Sequence, residues 1–259
     1  MDGSAIIGHT GFVGGNLIRQ RRFDAVYNSR NIGTIRGRGF ELLVFAGAQA
    51  KKWWANQHPE ADWAAIENAL GALREVEAGR VVLISTVDVL PNLDGADEDR
   101  EVHGLENHAY GRNRLRLEDE LRARFPRVTI LRLPGLFGPG LKKNVIFDLL
   151  HDNQLEKINP ESRFQYYDVT RLWQDVETVI AADLDLVHFV TEPVATSEIL
   201  ERAFPEARVG AEATRPVHYD FRTRHADLFD GRGGYVFSRE QVLEQLAAYV
   251  ASTRSEASR

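Results

Sequence analysis

The chain has 259 residues, of which 43% are hydrophobic, and its formal net charge is -6 at pH 7. This length suits one large domain, or one domain with an elaborated lobe. The absence of cysteine excludes disulfides and thiolate metal sites, and the basic residues form no long block of the kind that binds nucleic acid in bulk. No stretch approaches the roughly 20 apolar residues of a membrane helix, so we expect a cytoplasmic protein with no membrane or nucleic-acid partner.

The first half of the chain alternates short apolar runs with segments that have helical spacing of apolar residues, which predicts a parallel sheet covered by helices on both faces. The predicted strands cover residues 4–7, 25–27, 42–46, 80–85 and 128–133, and the predicted helices cover residues 12–21, 62–76 and 109–125. An acidic, polar surface loop is predicted over residues 91–107.

After Pro134 the alternation loosens, and the glycines and prolines of residues 135–140 predict a loop. The later predictions are helices over 144–151, 171–182, 196–203 and 239–251, and a strand over 186–190. Thr196 is predicted to cap its helix, and residues 252–259 are predicted to fray.

Three glycines spaced three residues apart, Gly8, Gly11 and Gly14, lie between the first predicted strand and the first predicted helix. A pyrophosphate needs backbone N–H groups at a helix N-terminus, and side chains there would keep it away. The alternative is a plain strand–turn–helix connection with convenient glycines. The residues expected to contact a dinucleotide are Gly8, Thr10, Gly11, Phe12, Val13 and Gly14.

The residues after the second predicted strand bear on which dinucleotide is bound. A carboxylate at this position favours the ribose hydroxyls of NAD, whereas an arginine suits the 2′-phosphate of NADP. The sequence places Ser29 and Arg30 here, so we predict NADP(H), with NAD possible. A solvated loop arginine is the alternative.

These patterns predict an α/β fold with a Rossmann-type doubly wound parallel sheet and a smaller, mixed C-terminal lobe. We assign residues 1–135 to the dinucleotide-binding domain, which the chain rejoins at about residues 165–200. Residues 136–164 and 201–259 are assigned to a substrate-binding lobe.

A candidate catalytic group follows from Thr86, at the end of a predicted strand, and from Tyr110 and Arg114, which are four residues apart on a predicted helix. A cation beside a phenol lowers its pKa, which would make Tyr110 a usable acid or base, and a threonine hydroxyl could polarise a carbonyl beside it. An ordinary pair on a charged helix is the alternative interpretation of Tyr110 and Arg114.

Together these segments resemble the extended short-chain dehydrogenase/reductase family, also called the NAD-dependent epimerase/dehydratase family. The matching segments occur in the family's order over about the first 140 residues. They are Gly8–Gly14, Phe45–Ala48, Asn68 with Gly71, Ser85-Thr86, Tyr110–Arg114 with Glu118, and 132–140.

The resemblance implies an enzyme whose catalytic residues are Thr86, Tyr110 and Arg114. It also implies that further residues line the dinucleotide, namely Ala46, Gly47, Ala48, Ser85 and Pro134. Arg114 stands where the family has lysine. Arginine keeps the charge but does not readily release a proton, so a proton relay of the lysine kind is not expected.

The family's substrates are sugars linked to nucleoside diphosphates, and this is the small-molecule substrate that we expect. Family dehydratases follow the threonine with an Asp-Glu pair, whereas this chain has Val87 and Asp88, which argues against 4,6-dehydration. With the NADP preference, keto-sugar reduction is favoured; epimerisation and a non-catalytic dinucleotide-binding sensor or partner-binding protein are the alternatives.

Candidate substrate contacts are Asp88, Lys142, Lys143, Asn144 and Tyr166. Each also has an ordinary structural interpretation, such as a solvated lysine or a hydrogen-bonded loop. The histidines show no metal-like spacing, so no metal site is expected. The helices predicted over residues 62–76 and 109–125 correspond to those that often form a dimer interface in the family, so we expect a homodimer.

Overall fold

The computed structural model describes residues 3–91 and 95–257. Its strands are β1 Ser4–Ile7, β2 Ala25–Tyr27, β3 Gly39–Phe45, β4 Glu77–Thr86, β5 Val128–Leu133, β6 Gly135–Phe137, β7 Arg163–Phe164, β8 Tyr166–Asp168, β9 Leu186–His188 and β10 Val194–Ala195. Its α-helices are α1 Phe12–Gln20, α2 Lys52–Gln57, α3 Pro59–Leu73, α4 Ala109–Arg124, α5 Val145–Leu150, α6 Leu172–Ala181, α7 Thr196–Ala203 and α8 Arg239–Ala257.

The main sheet has six strands in the order β2-β1-β3-β4-β5-β9, and its pairings from β2 through β5 are parallel. The predicted Rossmann-type α/β fold is therefore confirmed. From β1 the chain goes to β2 on one side and then crosses to β3 on the other. Ligands of open α/β sheets bind at such a switch point, outside the carboxyl ends of the strands.

The register of the sheet brings the carboxyl ends of several strands to one edge. Ile7 pairs with Phe45, and Phe45 pairs with Leu83. Strand β4 continues for three more residues, so that Thr86 pairs with Leu133 of β5. The segments that begin at Gly8, Ala46 and Val87 consequently leave the sheet at the same edge.

Buried aliphatic and aromatic side chains explain why these short segments form a sheet. Strand β5 is buried along its whole length, and Val81, Val82 and Leu83 of β4 are inaccessible to solvent. Strands covered on both faces read as continuous apolar runs, and this is the pattern from which they were predicted. Leu117 and Leu121 of α4 pack into the same core.

The chain divides into two compact units. The first comprises Met1–Asn92, Arg100–Leu133 and Thr170–Val187; the second comprises Leu93–Asp99, Pro134–Val169 and His188–Arg259. The second unit contains two small sheets, in which β6 pairs with β8 in parallel and β7 pairs with β10 antiparallel. That the second unit binds substrate stays a prediction.

Several local expectations differ from the structure. Thr196 does not cap α7; Ala195 is the N-cap residue, and the Thr196 hydroxyl donates a hydrogen bond to the Ser162 carbonyl at 3.1 Å. Residues 252–257 do not fray, because α8 continues through them. The loop expected over residues 135–140 begins with the short strand β6. Residues 92–94 of the predicted surface loop, and residues 258 and 259 of the predicted frayed end, lie outside the described residues.

Helix α2 was not predicted, since its six residues are too few to show a period. Within the described residues, none of the helices combines the length and the apolar character that crossing a membrane requires. The same residues contain no group of three or more metal-ligating side chains that could hold an ion.

Candidate active site

The glycine turn joins β1 to α1 at the switch point of the sheet. Gly8 has a φ of +92°, and a Cβ atom there would lie 2.3 Å from the carbonyl oxygen of Ala46. A Cβ atom on Gly14 would lie 2.2 Å from the Gly8 carbonyl oxygen. Real Cβ atoms do not make such contacts with backbone, so the turn as built requires glycine at both positions.

Gly11 has a different environment. A Cβ atom on it would meet only the Gly8 carbonyl oxygen, at 3.3 Å, and otherwise open space. Gly11 is also the N-cap residue of α1, and no side chain caps this helix end. The turn therefore presents bare backbone beside uncapped N–H groups at a helix N-terminus, and this arrangement fits a phosphate group.

The turn after β2 is shaped by two asparagines. The Asn28 side chain accepts a hydrogen bond from the Arg30 amide at 2.9 Å, and the Asn31 side chain accepts one from the Asn28 amide at 2.7 Å. This leaves Ser29 and Arg30 exposed at the tip. Neighbouring strand β1 leads into the glycine turn, and Gly8 donates a backbone hydrogen bond to Tyr27 at 2.8 Å.

Thr86 is the last residue of β4 and caps the short helical turn that follows it. Its hydroxyl oxygen accepts a hydrogen bond from the Asp88 amide at 3.1 Å. Because the Thr86 side chain begins this turn, Asp88 is held two residues away at the same edge of the sheet. The Asn107 side chain adds a second restraint by donating to the Asp88 carbonyl at 3.0 Å.

Tyr110 lies in the first turn of α4 and is 6% exposed. His108 is the N-cap of this helix, and its Nδ1 accepts a hydrogen bond from the Gly111 amide at 2.9 Å. The Tyr110 amide donates to the Asn56 side chain of α2 at 2.9 Å. The Arg114 guanidinium carbon lies 4.4 Å from the centroid of the Tyr110 ring.

Arg114 is engaged by a buried partner that the sequence did not reveal. Its guanidinium forms two hydrogen bonds, 2.8 and 3.0 Å long, to the two carboxylate oxygens of Asp62 on α3. A further hydrogen bond joins Arg114 to the carbonyl of Gln49, between β3 and α2. Both side chains of the pair are 3% exposed. No local pattern could have paired these residues, which are 52 positions apart.

The pKa of the Tyr110 hydroxyl differs from our expectation. We expected Arg114 to lower it, but burial raises the pKa of Tyr110 above its usual value. The charge of Arg114 does act in the lowering direction, as does Lys52, whereas Asp88 raises the pKa further. Burial outweighs the cation because ionisation would place a charge in a poorly solvated site. The phenol therefore stays protonated to a higher pH than a free tyrosine.

A second ion pair lies beside Tyr110. The Lys52 ammonium of α2 contacts an Asp88 carboxylate oxygen at 2.6 Å, with side chains 36% and 19% exposed. Nε2 of His108 lies 3.9 Å from the same carboxylate oxygen. Burial and the charge of Lys52 lower the pKa of His108. Nothing in the sequence indicated that Lys52 meets Asp88, because α2 itself was not predicted.

Ser85, expected near the cofactor, donates a 2.5 Å hydrogen bond to Glu118 of α4. Glu118 is also paired with Arg132 of β5 at 2.6 Å, and all three residues are buried. This network ties α4 to the sheet two residues before Pro134. Ala46, Gly47 and Ala48 follow β3 at the switch point, and each is partly or largely exposed.

The remaining candidate substrate residues belong to the second unit. Lys142 and Lys143 are exposed, while the Asn144 side chain caps α5 by accepting from the amides of Ile146 and Phe147 at 3.0 and 3.2 Å. Tyr166 in β8 is 2% exposed, and burial raises its pKa. Asn144 and Tyr166 therefore make structural contacts in this unit, and their contact with a substrate stays a prediction.

Several solved structures of enzymes that act on nucleotide-linked sugars have a similar fold. Solved structures similar to this chain include an NAD-dependent NDP-hexosamine 5,6-dehydratase of tunicamycin biosynthesis, with a TM-score of 0.75, 17% identity and coverage of 97% of this chain and 98% of that one. A dTDP-4-dehydrorhamnose reductase from Bacillus anthracis str. Ames, in complex with NADP, has a TM-score of 0.71, 16% identity and coverage of 97% and 98%.

A third similar structure is a UDP-N-acetylglucosamine 4-epimerase from Methanobrevibacter ruminantium M1 in complex with UDP-N-acetylmuramic acid. Its TM-score is 0.73, with 12% identity and coverage of 98% of each chain. No protein-family model and no curated protein matches the sequence. At these identities the similarity establishes the fold that the sequence resemblance implied, over nearly the whole chain.

Proposed function

We propose that this protein is an NADP(H)-dependent oxidoreductase that reduces a keto group on a nucleotide-linked sugar. The observation that carries the proposal is Tyr110, a buried phenol beside the switch-point edge whose proton is held more tightly than usual. Reduction of a ketone consumes one hydride and one proton, so it needs a group that is protonated at the start of the step.

The residues of the first unit supply a fitting cofactor site. The amides that follow Gly11 would hold the pyrophosphate, and Ser29 and Arg30 would meet a 2′-phosphate. Ala46, Gly47, Ala48 and Ser85 of the first unit would line the rest. Pro134, which the sequence resemblance adds to this set, belongs to the second unit. When bound, the reduced dinucleotide supplies the hydride.

The hydroxyl groups of Tyr110 and Thr86 act on the carbonyl oxygen of the substrate. Tyr110 donates its proton to the carbonyl oxygen of the sugar as that oxygen becomes an alcohol. Thr86 donates a hydrogen bond to the same oxygen and polarises the carbonyl. Arg114 fixes the Tyr110 ring by lying against its face. Lys142, Lys143 and Asp88 are the remaining candidates for contact with the sugar nucleotide, together with Asn144 and Tyr166.

The direct test incubates the purified protein with NADPH and nucleotide-linked 4-keto sugars and follows the loss of NADPH and the formation of the hydroxy sugar. Tyr110→Phe keeps the ring but lacks the proton, so kcat should fall by at least about 100-fold while NADPH still binds. Interconversion of epimers without net NADPH loss would instead favour an epimerase. Tight dinucleotide binding with no turnover of either kind would favour a sensor or partner-binding protein.

We also propose that α3 and α4 form the interface of a homodimer. The two helices pack on each other, and the Arg116 guanidinium of α4 lies 3.7 Å from the ring centroid of Trp63 on α3. Sedimentation equilibrium would measure the mass in solution, and a monomer at micromolar concentration would contradict the proposal. A cytoplasmic location also stays a prediction.

A further inference from the structure

Two cations lie near Tyr110, and they differ in how firmly each is held. Arg114 lies 4.4 Å from the ring centroid, and Lys52 is one helical turn before Asn56 of α2, whose side chain accepts a hydrogen bond from the Tyr110 amide. Arg114 is fixed by two buried hydrogen bonds to Asp62 and by a third, partly buried one to the backbone of Gln49. Its positive charge is balanced by Asp62. A guanidinium held in this way cannot turn toward a new negative charge without breaking buried hydrogen bonds.

Lys52 is held by a different kind of contact. Its ammonium group meets Asp88 at 2.6 Å, and more than a third of its side chain is exposed. An ammonium group on a flexible stem has three donors that can change partners, whereas the planar guanidinium cannot. Lys52 can therefore serve both Asp88 and a second acceptor close by.

The negative charge of Asp88 has to be balanced by a cation if Tyr110 is to act as an acid. A carboxylate oxygen of Asp88 lies 3.5 Å from the Thr86 hydroxyl, and its charge opposes the loss of a proton from Tyr110, so an unbalanced Asp88 would make Tyr110 a weaker acid. His108 does not supply the balancing charge. Its Nδ1 accepts from the Gly111 amide, and its lowered pKa favours the neutral ring. The guanidinium of Arg112, also in α4, donates to the Asn107 carbonyl.

We propose that Lys52 is a positioning residue that balances Asp88 and, together with Arg114, stabilises the negative charge left on Tyr110 after proton donation. The inference rests on the proposed keto-sugar reduction. In that step the carbonyl carbon gains a hydride from NADPH, the carbonyl oxygen gains the Tyr110 proton, and the resulting phenolate later recovers a proton from water. Lys52 acts throughout by its charge and forms no covalent bond.

The test compares Lys52→Met, Lys52→Arg and the double variant Lys52→Met/Asp88→Asn, with the exposed neighbouring change Lys51→Met as the matched control. For each, kcat, KM for the keto sugar and the pH profile of kcat are measured, and circular dichroism and NADPH affinity verify that the fold is intact. We expect Lys52→Met to lower kcat by up to about tenfold, with KM little changed, because losing the cation raises the pKa of Tyr110 and weakens it as a general acid.

The alkaline limb of the pH profile, where Tyr110 loses its proton, should move to higher pH in Lys52→Met. Lys52→Arg should keep most of the activity, because it keeps the charge. The double variant should recover part of the loss, because neither charge then remains. Lys51→Met should match the unchanged protein in all measurements.

Three outcomes would overturn the inference. An active protein whose kcat and pH profile are the same with Lys52→Met would overturn it and leave the proposed reductase standing. A loss of kcat with no movement of the alkaline limb and no recovery in the double variant would show a merely structural role. If the unchanged protein reduces no keto sugar, the proposed function fails and this inference fails with it.

Discussion

The glycine turn between β1 and α1 and the charged cluster around Tyr110 lie in the same unit, but the turn is formed by backbone and the cluster by side chains. The turn consists of backbone, and its shape depends on the absence of Cβ atoms at Gly8 and Gly14. The cluster consists of side chains from α2, α3, α4 and the end of β4, held by two ion pairs. A backbone site is specified within a few residues, whereas a site made of charges depends on partners far away in the chain.

If the Tyr110 cluster depends on charge pairing, Asp62→Asn should have the largest effect. It leaves the buried guanidinium of Arg114 without a counter-charge, so the free energy of unfolding should fall by about 3–5 kcal/mol. Denaturant unfolding measures this. Glu60→Gln is the matched control, because Glu60 is also an acidic residue in the first turn of α3 but is exposed. Equal losses for the two variants would show that the pairing contributes nothing beyond helix-end electrostatics.

For the backbone region, Gly14→Ala tests whether shape alone is decisive. The added methyl group would lie 2.2 Å from the Gly8 carbonyl oxygen, so α1 must shift away from the turn, at a cost of about 1–3 kcal/mol. NADPH affinity should fall as well. A Cβ atom on Gly15 meets only the His9 carbonyl oxygen, at 3.5 Å, so Gly15→Ala should be tolerated. A Gly14→Ala protein with unchanged stability and NADPH affinity would remove the close-packing role of Gly14.

Arg30→Ala tests whether one exposed side chain beside the backbone region sets the choice of dinucleotide. The affinity for NADPH should fall about tenfold and that for NADH should stay the same, because only NADPH carries the 2′-phosphate. Fluorescence titration measures both. Arg74→Ala, which removes another exposed arginine at the end of α3, is the control. An equal fall for NADH would mean that Arg30 does not recognise the 2′-phosphate.

The smallest effect is expected at His108, and it depends on pH. The pKa of His108 is lowered in the folded protein, so its contribution to stability is complete above the usual value of about 6.5 and is lost as the pH falls through the folded-state pKa. His108→Asn keeps a capping side chain that does not titrate. Its Tm should therefore fall less than that of the unchanged protein between neutral and acid pH.

His103 has a pKa shift in the opposite direction, so its effect on the pH dependence of stability is opposite and it serves as the comparison. Hydrogen bonds to Asp119 and Glu101 raise the pKa of His103, so its contribution is complete below about pH 6.5 and is lost as the pH rises through its folded-state pKa. His103→Gln should therefore make the acid-side fall in Tm steeper, not shallower. If both variants changed the slope in the same direction, the assignment of these two titrations would be wrong.

What could be predicted from the sequence follows the same division. Strands β1 and β5 begin and end where the apolar runs predicted them, because pleated, buried segments are specified by local hydrophobicity. The glycine turn was found from the spacing of its glycines between a predicted strand and a predicted helix. The Asp62–Arg114 pair and the Lys52–Asp88 pair could not be found, since each joins helices or loops that only the tertiary fold brings together.

The error over the Tyr110 pKa has a related cause. Spacing on a helix correctly placed Arg114 beside the ring, but it carries no information about solvent. Burial is a property of the assembled unit, and here it is the larger influence on the hydroxyl. The capping error at Thr196 is similar, because the carbonyl of Ser162 takes the hydroxyl that local propensity assigns to the helix end.

The hydrogen bond from Arg114 to the Gln49 carbonyl has a consequence for how this protein can vary. Its acceptor is main chain, so exchanging the glutamine for most other residues leaves the bond intact. Adding or deleting a single residue between β3 and α2 would carry that oxygen out of reach. The connection between β3 and α2 should therefore tolerate many substitutions but almost no insertions or deletions.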